Sequence, residues 1–315
     1  MRVRLMRLIV WSLQAFAWST LVGAAPMSST GALPASTHGA EVYSGWPFDA
    51  AEAARRQHET AARLGLPVDW KLELPAAGPL LFVLIPAGAF AMGSPESEPL
   101  RRNEPLHKVR ITKPFYLAKY VCTQAQWQAL LGDNPSLFKN KPDSDRRPVE
   151  HVSFKRITDE FLPRLQTLAP QGWTFRLPTE AEWEYACRAG TETPFSFGRK
   201  ISPDAANYDD TRANEGGHGT RKRGEALAVG SFAPNPWGLF DMHGNVFQWC
   251  QDWHVDGYRQ SPADDPCNAT AGSGRILRGG CWIHGPSYCR SASRYFAPPD
   301  YLAGSIGFRV ALACQ

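Results

Sequence analysis

Apolar positions change period several times along the chain, and each change predicts an element. Residues 50 to 64 follow Asp49, which with Glu52 forms a capping box, and they end at Gly65 and Pro67, so the spacing predicts one helix. LLFVLI at 80 to 85 is a short continuous apolar run stopped by Pro86 and Gly88, the mark of a strand buried on both faces. His107 to Thr112 alternates with Val109 and Ile111 on one face, and Phe115 to Ala118 continues a sheet. Two further capping boxes open helices, Thr123 with Gln126 through Leu131, and Thr179 with Glu182 through Ala189 before Gly190. Residues 154 to 166 have helical apolar spacing that Pro163 limits or kinks. After Gly190 turns and short aromatic segments dominate, with no repeat period and no break in composition from 78 to 315, which predicts one mixed domain.

Composition sharpens this picture. Hydrophobic residues make up 43% of 315, enough for a sizeable core, while 27 glycines, 26 prolines and 11 tryptophans predict irregular loops held by aromatic packing. The net charge of +4 is balanced and dispersed, and there is no basic stripe of the kind a phosphate backbone requires, which sets nucleic acid aside. Arg2, Arg4 and Arg7 precede an apolar stretch from Leu8 to Val22 and small residues at 23 to 25, the pattern of an export signal over 1 to 25, or of an uncleaved membrane anchor. Residues 26 to 77 then read as a flexible lead, disordered from Met27 to about Gly45, plus the helix at 50 to 64. Seven cysteines would meet an oxidising periplasmic or extracellular medium, and an odd number leaves at least one thiol unpaired within the chain.

Two segments carry candidate chemistry. In GLFDMHGNVFQW (238 to 249) a tight polar turn from Asp241 to Asn245 can aim a carboxylate, carbonyls and an amide at a hard cation such as calcium, or Asp241 and Asn245 merely cap the turn. In GGCWIHGPSYC, Cys281, His284 and Cys289 can bind copper(I) or zinc, perform thiol redox chemistry, form a structural disulfide, or be inert buried thiols. Histidines 107, 243 and 254 are too scattered to form a ligand set by spacing. HExxH, GxSxG and P-loop motifs are missing, which removes the commonest protease, esterase and nucleotide-hydrolase readings.

The order of IPAGAFAMGS (85 to 94), TQAQW (123 to 127), RPVEHVSF (147 to 154), RLPTEAEWEYACRAGT (176 to 191), NPWGLFDMHGNVFQW (235 to 249), RILRGGCW (275 to 282), CRSASR (289 to 294) and IGFRVA (306 to 311) resembles the formylglycine-generating enzyme, or sulfatase-modifying factor, family over residues 78 to 312. The resemblance implies an α+β fold related to C-type lectins, with a small twisted sheet and short helices. It implies oxidation by dioxygen of a cysteine in an unfolded sulfatase-like polypeptide, at a copper(I) centre held by two cysteines. Those two positions fall on His284 and near Pro286, while Cys281 stands where the family has serine, so the two-thiolate site is not kept. The family also implies calcium, through Asp241, the carbonyls of Gly244 and Val246, and Gln248 in place of an acid, and through a second site beginning at Asn207 and Tyr208 whose aspartate falls in the basic stretch 221 to 223. It ties the helix bearing Cys187 to the position of Ser291, two residues beyond Cys289. Because residues i and i+2 of a strand face the same way, the expected disulfide is Cys187 to Cys289.

Two functions follow as expectations for an exported, monomeric chain. One is a divergent oxidase using Cys281, His284 or Cys289 on a protein cysteine or another secreted substrate. The other is a calcium-stabilised, lectin-like binding module whose loops around Trp237, Trp253, Tyr258, Trp282 and Tyr295 recognise peptide or glycan.

Overall fold

The computed structural model describes residues 33, 34, 37, 39–258 and 262–314. The expected export segment at 1 to 25 lies outside them. Among the described residues no helix is long and apolar enough to cross a membrane.

The chain opens with α1 (Ala50–Leu64), whose Asp49 side chain accepts the Glu52 N–H at 2.9 Å and whose end is Gly65 at φ +64°. Then come β1 (Asp69–Leu72), β2 (Leu80–Ile85), β3 (Gly88–Met92), β4 (His107–Ile111), β5 (Phe115–Ala118) and α2 (Gln124–Leu131). A helical stretch follows as α3 (Phe154–Arg156), a π-helical turn (Ile157–Phe161) and α4 (Leu162–Gln166), ahead of β6 (Trp173–Arg176) and α5 (Glu180–Arg188). The second half supplies β7 (Phe247–Trp253), β8 (Arg275–Arg278), β9 (Arg294–Ala297), β10 (Ile306–Phe308) and β11 (Ala311–Cys314), separated by long irregular loops. The expected capping boxes close on both sides at Thr123 with Gln126 and at Thr179 with Glu182. Pro163 does not end its helix, because the π-turn before it absorbs the backbone bond that the ring removes.

A five-stranded antiparallel sheet runs β1-β2-β5-β11-β6, a four-stranded mixed sheet runs β10-β7-β8-β9 with β10 parallel to β7, and β3 pairs with β4. The larger sheet is covered on both sides. In β2, Phe82 and Leu84 enter one apolar cluster with Trp70, Tyr116 and Trp173, while Val83 and Ile85 enter a second with Phe115, Leu117 and Trp183. That double burial is why β2 reads as a continuous apolar run rather than an alternation. The result is an α+β fold of small sheets and short helices.

The lead expected over 26 to 77 is corrected in two places. Tyr43 is buried, its N–H donates to the Ala87 carbonyl at 3.1 Å, and its own carbonyl accepts from Ala89 at 2.8 Å. Residues 69–72 are an edge strand of the main sheet, with Trp70 stacked into the core. A four-residue strand carries too few alternations to stand out in a sequence, whereas pairing with β2 is decided by tertiary contact.

Candidate functional site

The segment from β8 to β9 is built on a backbone that only glycine permits. Gly279 and Gly280 have φ +97° and +73°, and a Cβ on Gly280 would stand 2.6 Å from Cys289 Sγ. This close approach buries Cys289 completely, and Cys281 is equally buried. Burial pushes the Cys281 thiol up to about 12 and the Cys289 thiol well above its ordinary value, so both are protonated at neutral pH.

No disulfide joins any of the seven cysteines among the described residues, which overturns both the expected Cys187–Cys289 pair and a Cys281–Cys289 bridge. The reason is local. Pro286–Cys289 is a 3-10 turn and β9 begins only at Arg294, so Cys289 and Ser291 do not share a strand face. Ser291 itself meets α5, with Cys187 Sγ 3.7 Å from its Oγ. Cys187 is also 3.7 Å from Nε2 of His243, a contact that spacing did not reveal. His243 Nδ1–H donates to the Cys289 carbonyl at 2.7 Å, and Nε2 accepts the Ser196 N–H at 3.0 Å. Burial lowers the His243 pKa to about 4 and raises that of Cys187 to about 12, so the pair is a neutral packing contact and not an activated thiolate.

His284 of this segment reaches solvent, with 23% of its side chain exposed. Its ring packs on Tyr288 at 4.4 Å and on Phe247 at 5.7 Å between centroids, and Arg102 lies 4.0 Å over Tyr288. Nδ1 faces Glu215 Oε2 at 3.9 Å without a hydrogen bond, and that carboxylate accepts the Gly285 N–H. Burial lowers the His284 pKa, with Glu215 opposing the shift. Pro286, at the other position implied for copper, offers no ligand atom on its side chain. An imidazole, a pyrrolidine ring and two buried protonated thiols are not a donor set for two-thiolate copper(I).

The expected calcium ligands are present and partly engaged by protein groups. Asp241, at φ +56°, accepts from Gly230 N–H at 2.8 Å through Oδ2, leaving Oδ1 buried without a partner. Gln248 turns its amide NH2 toward the Asp241 carbonyl at 2.9 Å, while its oxygen accepts from Trp183 Nε1 at 2.8 Å and Arg309 Nε at 3.1 Å. Arg309 is fully buried and also donates to the carbonyl of Phe240, so a fixed cation occupies this turn. Val246 is buried, and Gly244 passes so close to Asn207 that a Cβ would lie 2.5 Å from the Asn207 carbonyl oxygen. At the second position, Asn207 donates through Nδ2 to the carbonyl of Glu225 and to Asn245 Oδ1, and the Tyr208 hydroxyl donates to Asp210. Lys222 Nζ sits 3.0 Å from the buried Asp209 carboxylate. Burial opposes ionisation of Asp209, but the Thr211 hydroxyl and the Lys222 ammonium hold its carboxyl below the usual range. Among the described residues no three of His, Cys, Asp and Glu cluster as metal ligands. Gln248 and Arg309 thus bond to each other and to the carbonyls of Asp241 and Phe240, whereas Asp241 Oδ1 and Asn207 Oδ1 are buried without a partner.

The profile of the "Sulfatase-modifying factor enzyme 1-like domain" matches residues 78–314, three quarters of the chain. The chain belongs to the sulfatase-modifying factor family. It is 30% identical over 292 residues to the formylglycine-generating enzyme of Streptomyces coelicolor, covering 73% of this chain and 88% of that one. It is 31% identical to a serine/threonine-protein kinase pkn1 of Chlamydia pneumoniae over 78% of this chain, and spans only 40% of that protein's length. Among solved structures it resembles Treponema denticola variable protein 1, with TM-score 0.68, 26% identity, and coverage of 79% of this chain and 99% of that one. Within the matched region the segment of this chain presents His284 and no exposed thiol.

Of the aromatic residues expected on recognition loops, Trp237 and Tyr258 are core residues, whereas Trp253, Trp282 and Tyr295 are partly exposed. Sequence reasoning also missed the loop before β4. Arg290 pins it, donating to Glu98 at 2.5 Å and Glu104 at 2.6 Å, and so shapes a cavity beside the 286–290 turn.

Proposed function

We propose that this chain is a recognition domain of the family that binds an exported polypeptide, without thiolate–copper oxidation of a cysteine. The observation that supports this is the state of the two thiols nearest the site. Cys281 and Cys289 are fully buried and held protonated, and the solvent-facing position of the segment carries His284 instead. A redox thiol must reach its substrate as a thiolate or hold an open metal position.

The test is thiol titration on the native protein together with copper(I) binding in the wild type, Cys281→Ala and Cys289→Ala. Slow labelling of both cysteines until the protein is denatured, and no copper lost in either variant, is the expected result. Tight copper(I) binding abolished by either substitution, with dioxygen-dependent oxidation of a cysteine peptide, would restore the oxidase reading. One observation favours a second, enzymatic reading: His284 Nδ1 has no hydrogen-bond partner and faces Glu215, an arrangement suited to proton transfer.

A further inference from the structure

Two cavities adjoin the 286–290 turn and share Ile201 and His218 in their walls. The first, about 220 Å³, is walled by Pro99, Leu100, Phe195, Ile201 and Pro286, and the second, about 350 Å³, continues past Pro203 and Tyr208. The first is smaller than the roughly 300–1,000 Å³ usual for small-molecule sites, which suits single side chains better than a cofactor.

Its charge is one-sided. Arg199 and Lys200 lie on its rim, both exposed and without an ion pair among the described residues, and His218 stands where the cavities meet. Arg290 lines the floor but is spent on Glu98 and Glu104, two carboxylates that do not line the cavity. In the second cavity Asp210 is engaged by Thr220, the His218 N–H and Tyr208, while Asp204 pairs with Arg221 at 2.9 Å. Asp204 is therefore paired, Asp210 keeps its charge among neutral donors in the second cavity, and the first cavity, which no carboxylate lines, has two unpaired cations at an apolar slot.

We propose that this groove holds an extended acidic peptide, seating an apolar side chain between Leu100, Ile201 and Pro286 with flanking carboxylates on Arg199 and Lys200. The pairing of an apolar slot with unspent cations is what selects a peptide of alternating leucine-like and acidic residues. An anionic polysaccharide shares the charge but has no branched apolar group for the slot. The inference rests on the recognition reading above, and it places the ligand against the same turn that presents His284.

The experiment is fluorescence anisotropy on the full chain with a labelled peptide Glu-Leu-Glu-Glu-Leu-Glu, its Lys-for-Glu counterpart, and a heparin fragment as competitor. The acidic peptide should bind and its basic counterpart should not. Arg199→Glu with Lys200→Glu should weaken binding by about tenfold or more and flatten its salt dependence. Ile201→Ser should weaken it severalfold and leave the salt dependence as it is. Arg199 and Lys200 are exposed, Ile201 packs partly against the cluster of Phe195 and Tyr208, and melting curves on every variant confirm folding. Absence of acidic-peptide binding, or binding indifferent to the double charge reversal, overturns the groove. Heparin binding without peptide binding also overturns it, assigning the cations to a polysaccharide. Thiolate-dependent copper binding with peptide binding intact sinks the recognition-only reading and leaves the groove standing.

Discussion

Cys187 on α5 rests against Ser291, with Sγ and Oγ 3.7 Å apart across 104 residues of chain. The cysteine that the sequence offered as a partner, Cys289, is turned away by the 3-10 turn and packs on Gly280 instead. Ser291→Cys is therefore expected to create the bridge that the native chain lacks. Peptide mapping of the oxidised variant should recover Cys187 joined to residue 291, with a melting temperature raised by the equivalent of about 2–4 kcal/mol. A thiol count that stays at seven plus one would show that the two side chains cannot reach disulfide geometry.

Glu150 is buried, with Oε1 accepting the Phe138 N–H at 3.0 Å and Oε2 left without a partner. Burial raises its pKa from 4.5 to about 7. The folded state thus binds this proton more tightly than the unfolded chain, and the stability this confers is complete below about pH 4.5 and lost as pH rises through about 7. Glu150→Gln should remove the penalty. Thermal melts are expected to show the variant more stable than wild type by about 1–2 kcal/mol at pH 8, with the advantage gone at pH 4. Equal or lower stability at pH 8 would mean that water reaches the carboxylate.

Lys222 at 3.0 Å is the nearer of two cations at buried Asp209, with Arg212 at 3.5 Å. The ammonium is about half exposed, so its loss is discounted for solvent screening, and Lys222→Met should cost about 1–2 kcal/mol. In wild type, neither excess calcium nor EDTA should move the melting temperature. A shift of several degrees on chelation would mean that calcium binds the unpartnered oxygens of Asp241 and Asn207.

The Thr179 cap anchors α5, the helix that carries Cys187, Glu184 and Trp183 into the core. Its hydroxyl accepts the Glu182 N–H at 3.1 Å, and the Glu182 carboxylate accepts back from Thr179 at 2.9 Å while holding Arg176 at 2.6 Å. Thr179→Ala should lower stability by about 1 kcal/mol in urea melts with an unchanged m-value. No measurable change would imply that packing alone sets this helix start.

Much of the fold is local and so was legible in the residues. The caps at Asp49, Thr123 and Thr179 and the stops at Gly65 and Gly190 act within a few residues of themselves, and the run at 80 to 85 announces its double burial by composition alone. The order of motifs from 85 to 311 likewise carried the family without any coordinates. What tertiary structure decided is everything that depends on which distant groups share a dry space. Only folding shows that Tyr43 and Trp70 belong to the domain, that Cys187 meets Ser291 and His243 rather than Cys289, and that Trp237 is core. Only folding shows that Arg309 bonds to Gln248 beside Asp241 and that Lys222 reaches Asp209. The same holds for chemistry: a cysteine's residue type is written in the chain, but whether it is a thiolate depends on the solvent and charges around it. Cys281 and Cys289 are buried, while Arg199 and Lys200, silent in the sequence, became a candidate site because the fold set them unpaired beside an apolar cavity.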